Sequence, residues 1–283
     1  MDNNDILNRF NRGFKCAFQR FPLWVAALSL LASAFCYQLA TVPYAFLRSQ
    51  WDFYSFQSIA IGLAAFWIFL GMALICRYCQ AISQYQRPEP KKILASLPHL
   101  VKEALKVCLA CVAIAFVMWL ALSFKHLVLQ IPHIGTFISI LFAWLPFALL
   151  LLLKLSPLLI GALLYLLVPL ISTQNMAIYR ALAHVAALFS RQPVQTILCV
   201  LSGTIPLVLA AWLVSSLQKH TMTYLGYDDA AWVISMRRLV LVFASTFVMV
   251  PAVSLLSSWG FESTQWLQRQ PENLNDQKRD SHR

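Results

Sequence analysis

Residues 137–172 read FISILFAWLPFALLLLLKLSPLLIGALLYLLVPLIS, and the number of times this run crosses a membrane decides the fold. As one helix its 36 residues would reach about 54 Å, against a hydrocarbon core of about 30 Å. Pro146, Pro157 and Pro169 interrupt it, and a proline inside a helix removes a hydrogen bond and kinks the chain. The run also carries Lys154, a charge within an otherwise apolar stretch. Three readings are open: one kinked, tilted span with an overhang; a short re-entrant segment followed by a span; or two spans in a tight hairpin.

Outward from this run, the chain alternates between apolar and basic segments. Of its 283 residues 60% are hydrophobic and 12% charged, where a soluble domain has about 25% charged residues. Water could not solvate such a surface, so lipid must. Five further apolar runs lie at 22–47, 56–76, 107–131, 194–217 and 239–259. With 137–172 they predict an all-α fold, a polytopic transmembrane helix bundle of six spans. The first run has a basic leader and the small residues Ala32, Ser33 and Ala34 of a cleavable signal. It continues well past them behind a long amphipathic leader, which predicts an uncleaved anchor. The eight glycines are too few for Gly-rich phosphate loops and argue against tight small-residue helix packing.

Charge separates the readings of the fourth run. With six spans and a cytoplasmic start, the inner side collects Arg9, Arg12, Lys15, Arg20, Arg77, Arg87, Lys91, Lys92, Lys102, Lys106, Arg180, Arg191, Arg269, Lys278, Arg279 and Arg283. Outside lie Arg48, Lys125, Lys219, Arg237 and Arg238. Sixteen basic residues face five, as the positive-inside rule requires. A hairpin at 137–172 would send Arg180, Arg191 and the basic tail outside and degrade this bias. The expected location is therefore the bacterial inner membrane, both termini cytoplasmic. The net charge of +11 is accounted for by orientation, and nucleic acid is not an expected partner.

Three segments predict helices lying on the inner surface. In the leader, residues 1–21, Ile6, Phe10, Phe14, Phe18 and Phe21 recur at helical spacing among basic residues. Ile93 to Lys106 places Leu94, Leu97, Val101 and Leu105 on one face, and Met176 to Phe189 does so with Tyr179, Leu182, Ala186 and Phe189. Each precedes a pair of spans, which suggests a threefold two-span repeat; Pro98 inside the middle segment departs from it. The tail, 261–283, turns polar and predicts disorder.

The leader Phe14-Lys15-Cys16-Ala17-Phe18-Gln19-Arg20-Phe21-Pro22, and Tyr179-Arg180-Ala181-Leu182 through Arg191-Gln192-Pro193, resemble segments of a group of bacterial inner-membrane proteins. The group is the membrane domain attached to some glycerophosphodiester phosphodiesterases, with its stand-alone YciC-like relatives. The resemblance implies six spans over nearly the whole chain; it carries no catalytic residues, and no phosphodiesterase domain is present.

Lys154 is the sharpest candidate site. A charge at mid-membrane costs at least about 2.5–3.5 kcal/mol, so it marks a site unless it snorkels to headgroups. Pro146 and Pro157 would free backbone groups beside it to line a substrate site. The pairs Cys76/Cys79 and Cys108/Cys111 would fall at similar depth, where four thiols could surround zinc; the competing reading makes all seven cysteines small core residues. The six histidines show no ligand spacing, and no nucleotide, hydrolase or metalloprotease motif occurs. The expectation is a non-catalytic membrane component without cofactor, a scaffold or permease-like protein. Its partners would be lipids, other membrane proteins or a second copy of itself. The alternative is a small-solute transporter or channel around Lys154.

Overall fold

The computed structural model describes residues 3–41, 50–84, 93, 95–129, 161–225 and 231–280, and every regular element among them is a helix. In chain order they are α1 (Asn3–Ala17), α2 (Arg20–Thr41), α3 (Gln50–Ser83), α4 (Leu97–Leu129), α5 (Gly161–Gln174), α6 (Ile178–Arg191), α7 (Pro193–Leu225) and α8 (Ala231–Asp280). Five of them, α2, α3, α4, α7 and α8, contain segments long and apolar enough to cross a membrane. The fourth run contributes α5, an apolar helix described over 14 residues. Residues 137–160 lie outside the described residues, and Lys154, Pro146 and Pro157 with them.

Helix α2 lies along α3, α3 along α4, and α8 packs on α1, α2, α3 and α7. The centre belongs to α5. Tyr165, Val168, Leu170 and Ile171 are wholly buried, and Leu166 and Leu167 nearly so. A helix apolar all round has no face to give to solvent and goes to the middle of a bundle. Lipid tails are as apolar as leucine, so close backbone approach and van der Waals contact must hold such helices together.

The glycines supply that approach, and the expectation that their scarcity excludes tight packing is corrected. Gly203 of α7 and Gly260 of α8 clasp Tyr165 from two sides: added methyl groups would lie 2.8 Å from Tyr165 Cδ2 and 2.5 Å from Tyr165 O. Pro169 explains why that carbonyl is accessible. Having no N–H, it cannot bond the carbonyl four residues back, which is that of Tyr165. The Tyr165 hydroxyl and Ser263 Oγ are 2.6 Å apart. Gly62 meets Cys108 and Val112, and Gly71 meets Ser29, at two other crossings. Few glycines are needed when each sits at a contact.

Two more expectations change. Ile93 to Lys106 does not form a separate surface helix: from Leu97 it is the start of α4, one helix through Leu129. Pro98 falls in the first turn, where a missing N–H costs nothing. The expected tail also begins too early. Helix α8 runs unbroken past Trp259, with Phe261, Trp266 and Leu267 buried, because apolar residues still recur at helical spacing among the polar ones.

Helices α1 and α6, the ends of α3, α5 and α8, and the start of α4 meet at one end of the bundle. Cys16 is disulfide-bonded to Cys79, Arg77 hydrogen-bonds Asn175 Oδ1, Gln174 Nε2 donates to Gln268 Oε1 at 3.1 Å, and Ile178 N donates to Glu103 Oε2 at 2.9 Å. Arg9, Arg12, Lys15, Arg77, Lys102, Lys106, Arg180 and Arg191 belong to these segments and Arg20 opens α2 beside them, with Glu103 and Glu262 as the carboxylates whose side chains are described. It is the basic end of the molecule.

Candidate functional site

Helix α1 builds one wall of the candidate site. Phe10, Gly13 and Ala17 recur at helical spacing and face α8. Trp259 Nε1 donates to the Phe10 carbonyl at 3.1 Å, and the two rings meet edge-on at 5.3 Å. A methyl group on Gly13 would lie 2.7 Å from Trp259 Cδ1, so only glycine lets the helices come this close. Ser254 Oγ donates to the Ala17 carbonyl at 2.7 Å. A second side of α1 turns to α3 through Cys16 and Cys79, and just beyond it Tyr78 donates to Gln19 Oε1 at 2.7 Å and stacks on Phe21 at 4.7 Å. On a third side Phe14 and Phe18 are left 48% and 47% exposed. The leader's apolar residues therefore divide: Phe10 and Phe21 hold the bundle, and Phe14 and Phe18 point away from it.

Between α1, α3 and α8 lies a cavity of about 440 Å³, walled by Arg9, Arg12, Lys15, Ser83, Gln84 and Gln265 among others. Between α1, α7 and α8 lies a second, of about 450 Å³, walled mainly by Phe10, Leu198, Cys199, Ser202 and Trp266. Arg9 and Glu262 line both. The first is polar with three cations against one carboxylate; the second is largely apolar. Gln195 also lines the second, and its Oε1 is buried with no hydrogen-bond partner among the described residues.

A second cluster fixes α6. Glu103, buried in α4, accepts from the Ile178 N–H at the first turn of α6 and pairs with Lys106 Nζ at 2.7 Å. A carboxylate at a helix N-terminus satisfies an orphan donor and opposes the helix dipole. The turn before it is made by Asn175 at φ 51°, a left-handed conformation asparagine tolerates better than most residues. Ala181, Val185 and Leu188 form the buried face of α6. The face the periodicity singled out, Tyr179, Leu182, Ala186 and Phe189, is the exposed one.

The sequence-predicted residues do not converge. Lys154, Pro146 and Pro157 lie outside the described residues. The four thiols disperse: Cys79 pairs with Cys16, Cys76 Sγ donates to the Ser257 carbonyl at 3.4 Å, and Cys108 packs against Gly62. Among the described residues no three His, Cys, Asp or Glu side chains come together to hold a metal ion. The Cys16–Cys79 bond corrects the reading of all seven cysteines as core filler; residues 63 positions apart carry no sequence sign of meeting. The cavities were equally illegible, although Arg9, Arg12 and Lys15, at i, i+3 and i+6, do mark one basic face. Comparison with protein-family models, curated proteins and solved structures finds no match to the chain.

Proposed function

We propose that the chain is a non-catalytic, six-span protein of the bacterial inner membrane, its basic end in the cytoplasm, serving as a scaffold or permease-like component whose first partners are lipids. The observation that carries this reading is the pair of basic amphipathic helices at one end, with Phe14 of α1, Phe18 just after it, and Tyr179, Leu182 and Phe189 of α6 exposed. Apolar side chains turned outward beside Arg12, Lys15, Arg180 and Arg191 suit a helix lying at the headgroup boundary.

The direction of α5 supports six crossings. Helix α4 leaves the basic end from Glu103 and is about 50 Å long, whereas α5 finishes at that end, where Asn175 meets Arg77 and Gln174 meets Gln268. A run that follows a helix leaving the basic end and itself finishes there favours an odd number of crossings, as one span or a re-entrant segment with a span gives and a hairpin does not. The alternation of α2, α3, α4, α5, α7 and α8 then leaves both termini on the basic side, in line with the resemblance to the YciC-like group.

Sidedness is the test. In a variant without the native cysteines, Gln84→Cys at the basic end is expected to resist a membrane-impermeant maleimide until spheroplasts are permeabilised. His220→Cys, near the far end of α7, is expected to react at once. The opposite pattern sinks the orientation. A second arm uses the native pair, which the structure shows bonded: the cytosol keeps thiols reduced, so rapid alkylation of intact cells is expected to trap Cys16 and Cys79 as thiols that close on each other only after the protein leaves the cell. An oxidised pair would place that end outside.

A further inference from the structure

We infer that the two adjoining cavities at the basic end form one binding site for an anionic phospholipid. The headgroup lies in the polar cavity against Arg12 and Lys15, and an acyl chain enters the apolar one. Two observations converge on this ligand. The polar cavity carries more positive than negative charge: Arg9 and Glu262 are shared by both cavities, and Arg12 and Lys15 have no acidic partner among the described residues. The second cavity, of similar volume, presents Phe10, Leu198 and Trp266, a lining that suits hydrocarbon and not a small anion. Basic pockets between membrane helices are suited to anionic headgroups. The site rests on the chain being embedded in lipid and not on which side the basic end faces, so a failed sidedness test leaves it standing.

The experiment uses the full chain in detergent, with native mass spectrometry of retained lipid after mixing with phosphatidylglycerol, phosphatidylcholine, a fatty acid, or inorganic phosphate alone. Phosphatidylglycerol is expected to be retained in preference to phosphatidylcholine. Each cation near a headgroup is worth about five-fold, so Arg12→Ala with Lys15→Ala should weaken that preference about twenty-five-fold. Both residues are exposed, and the double variant should fold. Ser202→Phe, which fills the apolar cavity without touching the charges, should lower retention of phosphatidylglycerol and leave any binding of inorganic phosphate unchanged. Equal retention of the two phospholipids overturns the inference. So does a fatty acid binding as tightly as phosphatidylglycerol, or a Ser202→Phe protein that folds and retains lipid as before.

Discussion

Helices α1 and α6 are written in the same local code and are held by different forces. Each is amphipathic and basic, and each leads through a basic residue and a proline into a long apolar helix: Arg20, Phe21 and Pro22 for α2, Arg191, Gln192 and Pro193 for α7. Helix α1 is clamped on its own account, by the Cys16–Cys79 bond, the Gly13–Trp259 contact and two hydrogen bonds from α8 to its backbone. Helix α6 is held by its buried face and by one carboxylate from α4 at its first turn. The clamp leaves two cavities along α1. An amphipathic pattern predicts a helix at an interface; it does not predict how firmly the bundle holds it.

The comparison can be broken by removing one clamp at a time. Reducing the Cys16–Cys79 bond in the purified, oxidised protein should have the largest effect. It closes a loop of 63 residues, and such crosslinks contribute about 2–4 kcal/mol by restricting the unfolded chain. A lower unfolding temperature with reductant, and faster amide exchange in α1 but not α6, is the expected result; equal acceleration in both would show that the helices are coupled. Gly13→Leu comes next. Overpacking against Trp259 should cost about 1–3 kcal/mol and prevent oxidative closure of Cys16 on Cys79, read as a gel shift after alkylation. An intact crosslink would mean that the bond, not the glycine contact, seats α1.

Glu103→Gln sharpens the other side. It removes the negative charge from the α6 N-terminus and the ion pair with Lys106, and should cost about 1–2 kcal/mol. Faster exchange confined to α6 is expected, with α1 unchanged. The smallest effect belongs to Phe14→Ser with Phe18→Ser, and to Tyr179→Ser with Phe189→Ser. These side chains are exposed, so detergent-solubilised stability should change by no more than about 0.5 kcal/mol. A large loss in either pair would show that its outward face is covered by protein and not by lipid.

Where sequence reading failed, it failed for want of partners. Pro98 looked like a break because its position within a helix depends on where that helix starts. The tail looked free because polarity was averaged over residues of which Phe261, Trp266 and Leu267 turn inward. The four thiols looked like a set because depth was all that could be compared; rotation about each helix sends Cys79 to α1, Cys76 to α8 and Cys108 to the α3 crossing.

Composition and periodicity alone determined the all-helical, strongly apolar character of the chain, five of its apolar helices, and the amphipathic nature of α1 and α6. These follow from local transfer free energy and from the period of the helix, which need no knowledge of neighbours. Only the tertiary structure decided that the end of the 137–172 run is the central helix, that Tyr165 is clasped by Gly203 and Gly260, and that α1 is clamped beside two adjoining cavities. Those depend on which faces meet across distant parts of the chain, and between helices that are apolar all round that choice rests on shape, which the linear pattern does not record.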